Sequence, residues 1–402
     1  MDLVRLGDVC RFQNGRAFKK SEWTEEGLPI IRIQNLNRLS APFNYFSGEY
    51  DRRIEVSDGD LLFSWSGTVG SSFGPHIWSR GKGVLNQHIF RVSVDDSVDK
   101  KYAYYALLAI TGQIEKNVSG AVGLVHVTQS RLKEFTIPLP NLAEQKRIVT
   151  ILDEVFAGIA TAVTNTEKNL ANARELFESY LNHMFSRLPP GTNQQSLSAL
   201  CGSATITYGV IKLGGEWPNG VPCLRTSNVR RLRIDTRGIK RIEPGLSKKY
   251  SRTILKGGEV LVNVRGTLGG VAVAAADMSG WNVSREVAVV PSDPSKVLPE
   301  FAAYSIATRA SQDWLVDVQK GVAYTGINLT DLRELKIPIP SMDHQRRYVA
   351  KLDEMVSNCD AIELRLRQKL SSLDELKKSL LQKTFSGELT AVPEDEIEDA
   401  LA

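Results

Sequence analysis

The chain says the same thing twice, half its length apart. EFTIPLPNLAEQKRIVTILDE (Glu134 to Glu154) and ELKIPIPSMDHQRRYVAKLDE (Glu334 to Glu354) agree at ten of 21 positions, at a constant offset of 200. ELFESYLNHMFS (Glu175 to Ser186) and ELKKSLLQKTFS (Glu375 to Ser386) agree at six of 12 at the same offset. Upstream, GDLLFSWSGTVG (Gly59 to Gly70) aligns with GEVLVNVRGTLG (Gly258 to Gly269) at offset 199, and LPIIRIQNLN (Leu28 to Asn37) with VPCLRTSNVR (Val221 to Arg230) at 193. Each half therefore has a divergent front and a length-locked back. Two copies are too few for a solenoid, so the repeat predicts two similar domains related by a pseudo-two-fold axis.

The fronts read as sheet with a helix. LPIIRI, DLLFSW and HIFRVSV, then TILKGGEVLVNV and GVAVAAA, have strand composition bounded by turn residues. One helix is expected from Lys100 to Val118 and its counterpart from Pro299 to Val318. The backs read as long helices of about 40 residues, or roughly 60 Å. The IPLP and IPIP prolines end the preceding domain. Apolar residues then recur at Ile148, Leu152, Val155, Ile159, Ala162, Leu170, Ala173, Phe177, Tyr180 and Met184, with a slip between Ala162 and Leu170. The second stripe runs Val349, Leu352, Val356, Cys359, Ile362, Leu366, Leu370, Leu373, Leu376 and Leu380. Gaps of 3 and 4 are a coiled-coil seam, and each stripe needs a partner. The other copy, packed antiparallel, is the nearest one. The expected class is α+β: two α/β domains (1–140 and 188–340), two antiparallel coiled-coil helices (141–187 and 341–386) and an acidic tail (387–402) that reads as disordered.

Charge adds a direction. The net charge of +4 hides a tail, PEDEIEDALA, with five acids and no base; the rest holds 50 bases against 41 acids. Arg225 to Lys256 carries eleven Lys or Arg and two acids, Asp235 and Glu243. Such a run suits a polyanion, DNA or RNA first, or else a solvated loop. No run of 18 apolar residues suggests a membrane span, and MDLVRLGDVCRF does not read as a secretory signal. The four scattered cysteines form no CxxC pair. A reducing cytoplasm is the expected compartment.

The order variable domain, helix, variable domain, helix, with the IPLP…EQKRI…LDE and IPIP…HQRRY…LDE junctions and the GDLLFSWSGT and GEVLVNVRGT loops, resembles the specificity subunit of a type I restriction-modification system. The resemblance covers nearly the whole chain; His344 departs from it where the first copy has Glu144. It implies two target-recognition domains, each reading half of a split double-stranded DNA target in phage defence. It also implies that the chain is not the catalyst. Two modification subunits would dock on the helices and bring S-adenosylmethionine, and restriction subunits would bring ATP and Mg. The residues agree with a chain that needs no cofactor of its own. The one Pro-Pro, Pro189-Pro190, reads as a helix stop and not as part of a methyltransferase tetrapeptide. RGKG at Arg80 to Gly83 lacks the rest of a P-loop. His76, His88, His126, His183 and His344 have no metal-ligand spacing.

Major-groove readout favours Arg on guanine and Asn or Gln on adenine. The candidates in the first domain are Arg32, Gln34 and Asn35, with Ser64, Trp65, Ser66 and Thr68 in the Gly-Thr loop. In the second they are Arg225, Ser227 and Asn228, then Asn263, Arg265 and Thr267. Arg230, Arg231, Arg233, Arg237, Lys240 and Arg241 are candidates for phosphates, which position without specifying. The alternative for Asn35 and Asn228 is that each caps the same turn. For partner docking, the repeated Gln145, Arg147, Asp153 and Glu154, with Gln345, Arg347, Asp353 and Glu354, offer one polar pattern twice. Their alternative is to brace the helix start, where Asn141 and Glu144 suggest a capping box. The rival function is a duplicated helical scaffold that never touches bases.

Overall fold

The computed structural model describes residues 2–67, 72–117, 125–319 and 326–386. Four helices organise it: α1 (Lys100–Asn117), α2 (Leu142–Ser186), α3 (Pro299–Ala307) and α4 (Met342–Ser386). The chain divides into two compact units, Met1–Thr166 with the residues from Arg367 on, and Glu167–Leu366. The divisions fall inside the long helices, so each unit takes the first half of one and the last half of the other.

In unit 1 a four-stranded antiparallel sheet has the order Cys10–Asn14, Ile89–Val94, Leu61–Ser64, Gly74–Ile77. A second sheet sets Leu28–Ile31 between Asn44–Phe46 and Gly83–Leu85, the last pairing parallel. Unit 2 repeats the first and three strands of the second, without a counterpart among the described residues to the edge strand Glu55–Val56. Its first sheet runs Thr207–Tyr208, Val287–Val290, Val260–Asn263, Val271–Val273, and its second sets Val221–Leu224 between Lys240–Ile242 and the parallel Asn282–Val283. The β-branched and aromatic runs of the sequence form these strands, because such side chains pack well on a pleated, half-buried surface.

The cores correspond residue by residue. In unit 1, Phe12, Phe63 and Phe90 meet Tyr102, Ala106 and Leu107 of α1, Ile148 and Leu152 of α2, and Leu381 of α4. In unit 2, Val260, Val262 and Val290 meet Phe301, Ala302 and Ile306 of α3, Leu352 of α4, and Leu181 of α2. Phe385 lies 5.3 Å from the Tyr102 ring, and its counterpart Phe185 lies 5.3 Å from Phe301. Each such burial contributes about 2 kcal/mol. The antiparallel order of the helices is read within each unit: Lys377 sits over the Phe156 ring at 5.3 Å in unit 1, and Arg174 Nε meets Glu363 at 3.0 Å in unit 2.

Several expectations need correction. Both long helices have 45 residues. The slip in the first stripe is filled by Thr166, whose hydroxyl donates to Ala162 O at 2.6 Å and whose side chain is buried. In the second stripe Ile362 and Leu376 are exposed, and Leu381 rather than Leu380 reaches the core. A straight α-helix drifts against a 3.5-residue repeat, so a stripe assigned over 40 residues loses phase. The helix expected from Pro299 to Val318 breaks at Thr308, whose side chain accepts from Ser311 N–H to cap a second helix, Arg309–Asp317. The junction prolines sit in short ladders: Pro138 pairs with Leu3 and Pro338 with Gln194. One 18-residue window of α2 reaches a mean hydropathy of 1.4; Ile148, Val149 and Leu152 of this helix are buried in the unit 1 core. Thr68 and the acidic tail lie outside the described residues.

Candidate nucleic-acid interface

Each recognition unit turns sharply after its first parallel strand. In unit 1, Asn35 Oδ1 accepts from Arg32 N–H at 3.1 Å, and Nδ2 donates to Ala41 O and Pro42 O at 3.3 and 3.1 Å. In unit 2, Asn228 Oδ1 accepts from Arg225 N–H at 3.0 Å, and Nδ2 donates to Asp235 O and Arg237 O at 3.0 and 3.4 Å. Both asparagines are buried, at 2 % and 1 % exposure. A short amide that ties its own backbone is a natural turn former. With both ends of the amide occupied, neither asparagine can present an edge to a base, and the capping alternative holds for both.

The Gly-Thr loops are corrected in the same way. Ser64 is buried and donates to Ser66 O at 3.0 Å; Ser66 is buried too. Trp65 Nε1 donates to Asn14 Oδ1 and Gln87 O at 3.2 and 3.1 Å, and its ring stacks on Phe90. Asn263 is buried and donates to Thr226 O, Val229 O and Thr267 O. These residues hold the loop shape. Arg265 and Thr267 are exposed at the loop tip, and the Arg265 backbone bridges Gly326.

The basic residues separate into committed and free. Arg225 donates to Gly238 O at 3.0 Å, and Arg241 to Gly220 O at 3.0 Å. Lys240 pairs with Glu216 at 3.1 Å. Arg231 donates to Glu178 and to Ala307 O. Arg237 grips Asp235 through Nε and Nη2, and these side-chain bonds, with a backbone bond from Arg237, hold the Asp235 carboxyl well below the usual carboxylate range. Arg230, Arg233 and Arg265 are exposed and make no ion pair among the described residues, though Arg230 lies near enough to help hold Asp235 ionised. Ser227 and Gln34 are exposed as well, and Arg32 lies over the Trp23 ring at 5.6 Å.

The family model described as "Type I restriction modification DNA specificity domain" matches residues 1–172 and 215–372. The chain belongs to this family. The specificity subunit of the type I restriction enzyme EcoBI from Escherichia coli is 26 % identical over 418 residues, covering 96 % of this chain and 86 % of the relative. The MjaVIII specificity subunit from Methanocaldococcus jannaschii is 21 % identical, covering 96 % and 92 %. Among solved structures, a chain of a type I R-M system superposes with a TM-score of 0.73 at 19 % identity, over 96 % of this chain and 98 % of that one. The HsdS subunit from Thermoanaerobacter tengcongensis superposes at 0.54 and 21 % identity, over 96 % and 97 %. These two show a shared fold.

On the helices of this specificity chain, the two glutamines among the expected docking residues turn inward. Gln145 is fully buried: its Oε1 accepts from Asp99 N–H at 2.7 Å, and its Nε2 donates to Ser97 O and Pro140 O at 2.9 and 2.8 Å. Gln345 repeats this with Leu298 N–H, Lys296 O and Pro340 O at 2.9, 3.0 and 3.1 Å. The repeated glutamine is a clasp between helix and recognition domain, not a docking residue. Asp153 and Asp353 accept from Tyr105 and Tyr304 hydroxyls at 2.7 and 2.6 Å. Partial burial pushes the Asp153 carboxyl up, but bonds from Lys101 and Tyr105 outweigh it and hold it ionised below its ordinary range. The same bond adds to burial in raising the Tyr105 phenol. Arg147 pairs with Glu144 at 2.8 Å. Asn141 does cap α2, accepting from Glu144 N–H at 3.0 Å, but Glu144 turns to Arg147 instead of closing a capping box. At α4, Ser341 Oγ meets His344 Nδ1 at 2.8 Å. Glu154, Arg347 and Glu354 remain exposed, as does Asp353 beside its tyrosine bond.

One feature escaped the sequence reading. Glu22-Trp23 and Glu216-Trp217 are the same dipeptide, 194 apart. Each glutamate ties its loop, Glu22 to Lys19 N–H and Arg16, Glu216 to Arg241 N–H and Lys240. Trp217 is left 49 % exposed beside these cations. The repeat itself was the available signal.

Proposed function

We propose that each recognition domain reads one half of a split double-stranded DNA target, while the paired helices set the number of unread base pairs between the halves. The observation that carries this is one architecture built twice: the same sheet order, the same asparagine turn and the same glutamine clasp, each attached to a helix of 45 residues. Duplex DNA repeats its face about every 34 Å, so two readers need a fixed separation. Equal helices keep the separation while the tips diverge. The domain limits follow the sequence: recognition at 1–140 and 188–340, helices at 141–187 and 341–386.

The readers in this proposal are the half-buried Arg32 and the exposed Gln34 in the first domain and the exposed Ser227, Arg265 and Thr267 in the second. Arg230 and Arg233 serve phosphates. Arg presents a bidentate fork to guanine O6 and N7, and backbone contacts fix register without reading it. Glu154, Arg347 and Glu354 are the exposed remnant of the repeated pattern and would meet two modification subunits, one per copy. The chain would act as a non-catalytic cytoplasmic subunit, with S-adenosylmethionine, ATP and Mg handled by its modification and restriction partners.

Genome-wide adenine methylation mapping tests this, with the gene deleted and with its modification subunit expressed. Disappearance of one split motif is the expected result. An unchanged methylation pattern would refute the proposal.

A further inference from the structure

The strands Val229–Arg230 and Arg233–Ile234 pair antiparallel, and Arg231 and Leu232 form the turn between them. Leu232 has φ of 59°, the one left-handed non-glycine among the described residues. That backbone is costly for a leucine and persists only where the surroundings hold it. Leu232 N–H donates to Val271 O at 2.6 Å, and its side chain packs on the unit 2 core. The Arg231 guanidinium reaches Glu178 of α2 and the Ala307 carbonyl. Arg230 and Arg233 flank the turn, opposite one another, exposed and without an ion pair among the described residues; Asp235, the carboxylate whose acidity Arg230 strengthens, is already gripped by Arg237.

Unit 1 carries the same dipeptide at the same place. Arg38-Leu39 follows Asn35 by the interval at which Arg231-Leu232 follows Asn228. Yet Leu39 is 85 % exposed, and Arg38 is exposed with no ion pair among the described residues. The helix position equivalent to Glu178, 200 residues on, is Lys378, which pairs with Asp374 at 2.6 Å. A carboxylate accepts from a guanidinium; an ammonium repels it.

We propose that Arg231, Leu232 and Glu178 form a latch that fixes the basic hairpin of unit 2 on its helix, and that the latch sets the pose in which Arg230 and Arg233 meet DNA. Arg231 is a positioning residue. The inference rests on the DNA-reading function proposed above. It makes the second reader a rigid extension of its helix, whereas the first reader's loop is held by its asparagine turn and by Arg80, which donates to Asn35 O at 3.1 Å, and not by the helix position equivalent to Glu178.

The test uses the full chain with its modification subunits. Binding is measured to duplexes carrying the mapped target, or one mismatch in either half. Glu178→Lys, which installs the residue of the other copy, should lower discrimination at one half-site on the order of tenfold. Discrimination at the other half-site should stay intact, which also certifies folding. Arg231→Met should affect the same half-site, and the double variant should be no worse than the stronger single one, because the two residues form one interaction. Unchanged discrimination, equal loss at both half-sites, or additive losses would overturn the latch. If the unaltered complex binds matched and mismatched duplexes alike, the DNA-reading function itself fails, and the latch proposal with it.

Discussion

Residues 35–39 spell Asn-Leu-Asn-Arg-Leu and residues 228–232 spell Asn-Val-Arg-Arg-Leu, yet the two stretches end in different places. The asparagine behaves alike in both, since its partners are backbone groups of its own loop. Three residues later the paths separate. In unit 2 the arginine finds a carboxylate on α2 and the leucine is drawn onto the core; in unit 1 the helix presents Lys378 and the leucine stays in water. A local bond travels with the sequence word that makes it. A long-range one depends on a residue far along the chain, and changing that residue's sign releases it.

Substitutions can break or sharpen this contrast. The largest effect is expected where the copies agree most. Gln145→Ala and Gln345→Ala each leave one buried N–H and two carbonyls without partners, a loss of about 4 kcal/mol apiece. Urea unfolding of the full chain should show similar falls in midpoint for the two. If one glutamine proves dispensable, the clasps are not equivalent.

The next effect is confined to unit 1. His76 stands opposite Leu62 in its sheet, where the second copy has Ala272 opposite Leu261. Burial holds the His76 imidazole neutral and pushes its pKa from 6.5 down to about 4. The unfolded chain takes up that proton near pH 6.5 and the folded chain only near 4, so this stability is fully present above pH 6.5 and lost as pH falls toward 4. The loss amounts to about 3 kcal/mol. His76→Ala, the residue of the other copy, should flatten the decline in that window. An unaltered slope would exclude the histidine as its source.

The smallest effect concerns the divergent loop tip, where Ser66 is buried and Arg265 is exposed. Arg265→Ala should weaken discrimination at one half-site by about 2 kcal/mol if the guanidinium reads a guanine. Quantitative binding to singly mismatched duplexes measures it, and losses at both half-sites would assign Arg265 to general phosphate contact.

The elements themselves were legible. Strand composition located the sheets, and junction identity located both helix starts, because periodicity and capping are local properties. The site was legible only as a neighbourhood. Asn35, Asn228, Ser64, Ser66 and Asn263 have the chemistry of base readers, but each is buried by structure around it. The repetition of Asn35 as Asn228 reflected a shared turn, and the repeated glutamines reflected a shared clasp.

The sequence by itself determined that one unit is built twice, where each long helix begins, and where basic residues concentrate. These follow from spacing, periodicity and charge, which need no knowledge of distant neighbours. Tertiary structure alone decided which polar side chains are spent on the fold and which face outward. A side chain's hydrogen-bonding capacity is finite, and only the packed chain shows whether a carbonyl, a carboxylate or open water has taken it.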